Sequence, residues 1–455
     1  MAVTAEELGT LAGAYLERQH WFQLTVPGAR EDEIELVHSE VLLEAPPPLC
    51  RLLLSCRGRH FGLFVGWRRA TEVAGALHGR EGVIFGSVLD GQRTALVYDA
   101  LADDVLAIEL FRRATGGKEV ATRVRQVAAA ASHASLVYDG RFLMKCYRVL
   151  EDTTRAEVEV LTKLDAVGFN AILAPVAAWQ RDGFELALVR EFLPSALEGR
   201  LLALTSLRDL LARVSGYDRA DQATAARLEP ANAFDPAVAA ATAGGDLASE
   251  MRRLGATAAR LHLALADAFA TSEVSPATLA DEIAQLASSG FPGRGAAGGG
   301  RDANDLIARV RSLDPGKAGS AIRVHGDFHL RRVMRGETGW VVVGFGDDPL
   351  FADSLSLTSL SARSGTPVED LADMWFSIGR VAREALVQRP RAELALAGQL
   401  ARAWVRRNRR AFLEGYLATR GIGRLLPDDQ GIVEELLAVL TMAREHRHGG
   451  PIPEA

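Results

Sequence analysis

The stretch His325-Gly326-Asp327-Phe328-His329 is followed, after a polar turn at Glu337-Thr338-Gly339, by the apolar run Trp340-Val341-Val342-Val343 and then Gly344-Phe345. Ile322-Arg323-Val324 ahead of it reads as a short strand, and the Trp340 run reads as a buried one. A loop held between two short strands presents its carboxylate rigidly. Asp327 is therefore the first candidate for chemistry, although most Gly-Asp pairs are plain turn or cap residues. His325 and His329 flank it and are expected to orient the loop rather than to react.

A chain of 455 residues is too long for one small core and predicts two or three domains. Its net charge of −6 argues against non-specific nucleic-acid binding. The cluster Arg406-Arg407-Asn408-Arg409-Arg410 reads as a solvated helix face. Only Cys50, Cys56 and Cys146 are present, an odd count that excludes a full disulfide framework and fits a reducing compartment. Glu6, Glu7 and Glu17 stand where a secretory signal would be basic and then apolar. No run approaches the ~18–20 apolar residues that span a bilayer. A soluble, cytoplasmic protein without nucleic-acid or membrane partners is expected.

Residues 5–22 carry helical spacing, and 33–67 read as an antiparallel meander. A hairpin is expected around Val83-Ile84-Phe85 and Ala95-Leu96-Val97-Tyr98 with Asp90-Gly91 as its turn, then a helix over about 102–114. Asp139-Gly140 predicts a second hairpin that joins Ser135–Tyr138 to Arg141–Tyr147. A charged helix follows over 153–166, and Phe184–Phe192 is a strand that Pro194 stops. Beyond about 196 the segments 248–269, 303–312, 367–388, 393–418 and 430–446 fit amphipathic helices. Residues 229–246 and Ser288–Gly300, rich in Ala, Gly or Pro, read as flexible insertions.

Only Lys118, Lys145, Lys163 and Lys317 are lysines, and Lys145 lies in an apolar strand. A buried ammonium needs an acid or a phosphate beside it. Glu157 and Glu159 on the next helix are the two candidate partners. No Gly-rich P-loop precedes Lys145, so the hairpin with Ser132, His133 and Ser135 would have to cover any phosphate. Glu191 and Leu193, where the strand leaves for the helical half, are candidate hinge contacts for a base.

Taken together, these motifs resemble the actinobacterial maltokinases and the related glucosamine kinases, relatives of the aminoglycoside phosphotransferases with an added N-terminal cap. Leu16-Glu17-Arg18-Gln19-His20-Trp21-Phe22 is similar to the start of that cap. Ser135 through Lys145 is similar to the hairpin with the phosphate-binding lysine, and Glu159-Val160 fits the helix acid that pairs with it. Leu188-Val189-Arg190-Glu191-Phe192-Leu193-Pro194 resembles the hinge. Leu261 through Ala266 matches a helix usually found ahead of the catalytic loop, and His325 through Leu330 matches that loop. Gly339 through Phe345 matches the metal-binding strand, and Pro367 through Met374 with Trp404 through Tyr416 continues the likeness.

The resemblance implies an α+β, bilobal, protein-kinase-like fold with an N-terminal cap subdomain. The cap would take 1–88, an intermediate nucleotide-side subdomain 89–193, and a helical C-lobe with the catalytic loop 194–455. It implies ATP and Mg²⁺ as cofactors and maltose, glucosamine or a similar sugar as substrate. A partner enzyme of trehalose or α-glucan metabolism would be a further implication. Asp327 would accept the proton of the sugar hydroxyl, while Lys145, Glu159, Ser135, Glu191 and Leu193 hold the nucleotide. The family's two metal ligands, an Asn or Gln and an Asp, fall here on Arg332 and Gly344. Glycine offers no oxygen to a hard cation and arginine repels one, so Mg²⁺ binding is not expected at these positions. Asp347 and Asp348 are lesser candidate ligands. Two functions follow: an ATP:sugar phosphotransferase, or a pseudokinase that binds nucleotide, sugar or a partner without turnover.

Overall fold

Alternating apolar residues build the first half of the molecule into two antiparallel sheets. The computed structural model describes residues 3–77, 80–91, 93–128, 133–150, 152–225, 247–288, 303–345, 364–387, 389–390 and 393–447. They divide into two compact units. The first is drawn from Met1–Thr162 and Leu173–Pro194, the second from Lys163–Ile172, Ser195–Phe345 and the chain beyond 363.

In the first unit the strands run β1 Glu35–Leu43, β2 Leu49–Cys56, β3 Arg59–Arg69, β4 Ile84–Asp90, β5 Arg93–Asp99, β6 Val124–Ala128, β7 His133–Tyr138, β8 Phe142–Tyr147, β9 Val149–Leu150, β10 Pro175–Arg181 and β11 Phe184–Glu191. One sheet has the order β1-β2-β3-β5-β4 with β9 on β3, and the other has the order β10-β11-β8-β7-β6. The expected meander and both expected hairpins are present. Asp139 and Gly140 both take positive φ, 50° and 67°, the twist a tight hairpin requires. The hairpin of β4 and β5 lies astride residue 88, so one sheet runs past the cap boundary expected there. β9, much later in the chain, joins that sheet too.

Leu8, Ala12, Tyr15 and Leu16 of the Ala5–Glu17 helix pack on the first sheet. Trp21 and Phe22 are buried with them, the Phe22 ring tilted against Phe61 with centroids 4.9 Å apart. A Trp-Phe pair hides a large apolar area, which is why the cap closes around it. Buried ion pairs knit this unit further, with Arg148 on Asp99 at 2.6 Å and Arg68 on Asp103 at 2.7 Å.

The second unit is mainly helical. Its helices Leu247–Ala268, Ala303–Arg311, Pro367–Val387, Leu394–Leu417 and Gln430–Arg447 follow the expected amphipathic segments, and Pro276–Ser288 is a helix the sequence reading did not give. Leu247–Ala268 and Leu394–Leu417 touch backbone to backbone. A Cβ on Gly255 would lie 1.9 Å from the Phe412 carbonyl oxygen, and one on Gly415 would lie 1.9 Å from that of Arg252. Only glycine permits this crossing, and the crossing sets His262 beside Tyr416. Short strands Ser320–Arg323, Val333–Arg335 and Trp340–Val342 frame the loop that carries Asp327. Among the described residues no helix is long and apolar enough to cross a membrane.

Candidate functional site

The loop owes its shape to one buried carboxylate. Asp370, on the Pro367–Val387 helix, accepts the His325 N–H at 2.8 Å on Oδ2 and the Gly326 N–H at 2.8 Å on Oδ1. His262 Nε2 lies 3.1 Å from Oδ2, and its Nδ1 lies 2.8 Å from the Tyr416 hydroxyl. Burial opposes the charge on Asp370, but His262 and the loop N–H groups outweigh it and hold the carboxyl below its usual range. The helix crossing at Gly255 and Gly415 thus reaches the loop through Tyr416, His262 and Asp370. Sequence reading did not single out Asp370 or His262.

Both loop histidines bond to backbone groups of the loop. The His325 Nδ1 accepts the Asp327 N–H at 3.3 Å, so its proton sits on Nε2, which donates to the Val343 carbonyl at 3.1 Å. Burial keeps this imidazole neutral. The His329 Nδ1 accepts the Arg331 N–H at 3.2 Å and caps the 3-10 turn Leu330–Arg332. Its Nε2 lies 3.3 Å from Asp327 Oδ1.

Arg332 closes over the candidate catalytic group. Its Nε and Nη2 donate to Asp327 Oδ2 at 2.9 and 2.7 Å. Arg332 is 5% exposed, so this pair is largely shielded from water. Burial raises the cost of charging Asp327, yet His329 and Arg332 overcome it and keep the carboxyl below its usual range. Gly344 makes the arrangement possible. It holds φ +79°, and a Cβ there would stand 2.7 Å from Arg332 Nη1 and 2.8 Å from Cδ. The guanidinium fills the space that an aspartate at 344 would enter. Arginine at 332 and glycine at 344 are therefore sterically coupled. Among the described residues no group of three His, Cys, Asp or Glu side chains is placed to hold a metal. Asp347 and Asp348 lie outside the described residues. The described residues here do not fit Mg²⁺.

In the first unit, the expected lysine is buried and paired. Lys145 Nζ lies 2.7 Å from Glu157 Oε2, and the Tyr147 hydroxyl donates to the same oxygen at 3.0 Å. The expected partner Glu159 is corrected by this geometry: it is exposed, whereas Glu157 is buried. The physical reason is helical period. Glu157 shares a helix face with Val160, Leu161 and Leu164, all buried, and Glu159 does not. That signal was available in the sequence. Burial works against the Glu157 charge, and Lys145 and then Arg190 overcome it, bringing the carboxyl down to about 2.

The other expected nucleotide contacts lie on or beside the same sheet. Ser135 is directly opposite Lys145 on β7. Glu191 ends β11 and is exposed, and Leu193 is half-buried just beyond it. Phe192 donates its N–H to the Arg141 carbonyl at 2.8 Å, which fixes the exit of this strand. Ser132 lies outside the described residues, and His133 is buried. Burial and the nearby Lys145 push the His133 imidazole down to about 3, so it stays neutral.

No protein-family model matches the chain. A glucosamine kinase from Streptacidiphilus jiangxiensis is 30% identical over 208 residues, a stretch that covers 43% of this chain and 43% of that protein. The match thus spans less than half the length of this relative. Among solved structures, a glucosamine kinase superposes with TM-score 0.56 at 19% identity, over 98% of this chain and 94% of that one. A glucosamine kinase in complex with glucosamine, ADP and inorganic phosphate gives TM-score 0.55 at 19% identity, with the same coverage. The chain has the kinase-like α+β fold of these proteins.

Proposed function

We propose that this chain is a cytoplasmic, glucosamine-kinase-like protein that binds a nucleotide and a small sugar but is impaired in Mg²⁺-dependent phosphoryl transfer. The observation that carries the reading is the Arg332 guanidinium, paired with Asp327 Oδ2 and lying over Gly344. A base that must take a hydroxyl proton loses basicity when a buried cation already holds its oxygen. Phosphoryl transfer also relies almost wholly on positioning and on neutralising phosphate charge, so losing both metal ligands removes the main source of rate. Glucosamine is the first sugar to test, because the similar proteins are glucosamine kinases, and maltose is the second. The three cysteines, all unpaired and buried, support a reducing compartment.

A working kinase is the second reading. It is favoured by the supporting frame: Asp370 still anchors the loop with two backbone N–H groups, and Lys145 keeps its buried acid. The test is steady-state turnover of ATP and Mg²⁺ with glucosamine and with maltose. The proposal expects turnover at least about a hundredfold below the ordinary kinase range of roughly 1–100 s⁻¹. Turnover inside that range with either sugar overturns it in favour of the second reading.

A further inference from the structure

Beside Lys145 stands a second cation that the reading above does not use. β8 and β11 pair so that Lys145 faces Leu188 and Leu143 faces Arg190. Residues two apart on a strand share a face, and so do directly paired residues on neighbouring strands. Arg190 and Lys145 are therefore diagonal neighbours on one face, with backbones about 7–8 Å apart. Ser135, opposite Lys145, and His133, opposite Tyr147, are on this face too.

The guanidinium reaches this cluster. Its charge helps hold Glu157 ionised, after Lys145, and it is also felt at Tyr147 and His133. Yet Arg190 Nε is buried without a hydrogen-bond partner among the described residues. A buried, charged donor left unpaired is costly, and it marks the place where an acceptor is missing. Within the cluster the one acid bonded to Lys145 is Glu157, and that acid already accepts from Lys145 and Tyr147. Glu185, the other acid near Tyr147, accepts from Gln180 through Oε1. Ser135, Leu143 and Arg190 are each partly exposed, whereas Lys145 and Tyr147 are buried, so the cluster opens at the Arg190 end.

We infer that Arg190 and Lys145 form a two-cation site for the phosphate groups of a nucleoside polyphosphate, one that works without a divalent metal. The inference rests on the nucleotide-binding reading of Lys145 and deepens it. A planar guanidinium presents several donors in a fork that matches phosphate oxygens, and it keeps its charge at any ordinary pH. It supplies in the first unit a positive charge that a metal would otherwise bring. Arg332 disfavours the metal in the second unit, and Arg190 lowers the need for it in the first.

The experiment is calorimetric titration of the full chain with ATP, in EDTA and in Mg²⁺, for wild type, Arg190→Met and Arg190→Lys. Inorganic tripolyphosphate is the competitor that separates phosphate recognition from base recognition. Wild type binds ATP in EDTA, and tripolyphosphate displaces it. Arg190→Met weakens metal-free binding about tenfold or more, the loss of one charged hydrogen-bonding partner. Arg190→Lys, which keeps the charge but loses the planar fork, binds more weakly than wild type and more tightly than Arg190→Met. Thermal melts establish that both variants are folded. If Arg190→Met unfolds, the tripolyphosphate competition and a steep fall of wild-type affinity with salt carry the test. Equal metal-free affinity in folded Arg190→Met overturns the inference, as does tripolyphosphate that fails to compete. Wild-type binding that needs Mg²⁺ overturns it too while leaving the nucleotide reading intact. No ATP binding in either condition removes both.

Discussion

Each unit buries one ion pair at its candidate site, and the two pairs have opposite sense. At Lys145 the cation is the group with a ligand to meet, and Glu157 and Tyr147 position it. At Asp327 the acid is the group that the proposed function assigns the chemistry, and Arg332 is bonded to it. The distances are the same, 2.7 Å in both, yet on the proposed function one pair supports its working group and the other silences it. What separates them is whether the second member leaves the working group's face open. Glu157 approaches from the helix behind Lys145. Arg332 lies in the very space beside Gly344 that a metal ligand would use.

The comparison can be broken most forcefully at Lys145. Lys145→Met leaves Glu157 buried with Tyr147 as its remaining bonded partner, and removing one member of a buried pair costs about 3–5 kcal/mol. Chemical denaturation followed by tryptophan fluorescence reads this loss. Arg332→Gln is expected to cost less, about 1–3 kcal/mol, because Asp327 keeps His329 and is less deeply buried. Equal losses at the two sites would erase the proposed asymmetry in support.

Gly344→Asp tests whether positions 332 and 344 act as one. Alone it places a side chain at positive φ and against the Arg332 guanidinium, a backbone strain of about 1–2 kcal/mol before any displacement. Combined with Arg332→Gln, the clash disappears. The double variant should therefore be more stable than the sum of the single effects, by about 0.5–3 kcal/mol in a double-mutant cycle. Strict additivity would mean that the two positions are independent.

A further effect is a pH dependence. The Glu157 carboxyl falls from its ordinary 4.5 to about 2 in the folded protein. Its stabilisation is present in full above the unfolded value and is lost as pH falls from there through the folded value. Acid titration of stability between those limits should lose steepness in Glu157→Gln and keep it in Glu159→Gln.

Much of this architecture was legible in the chain. The Asp139-Gly140 hairpin, the Trp21-Phe22 anchor, the amphipathic helices and the loop around Asp327 all announce themselves through local pattern. What escaped was tertiary. Asp370 sits 45 and 44 residues beyond the two N–H groups it accepts from, and nothing local marks it as their acceptor. The choice between Glu157 and Glu159 was written in the helical period against Val160, Leu161 and Leu164. The residues that the resemblance sets against metal binding, Arg332 and Gly344, were visible in the sequence. That the arginine would turn onto Asp327, through the space that glycine leaves, required the fold.

The central claim is that Arg332 over Gly344 is what silences Asp327. Its most direct measurement is Mg²⁺-dependent ATP turnover with glucosamine in Arg332→Gln/Gly344→Asp against wild type. The double variant removes the cation and adds an oxygen donor at each position, leaving Asp370, His325 and Lys145 in place. The account predicts that it gains turnover, by about tenfold or more, and that the gain requires Mg²⁺. A folded double variant with no metal-dependent gain, or a wild type that already turns over as fast, would contradict it.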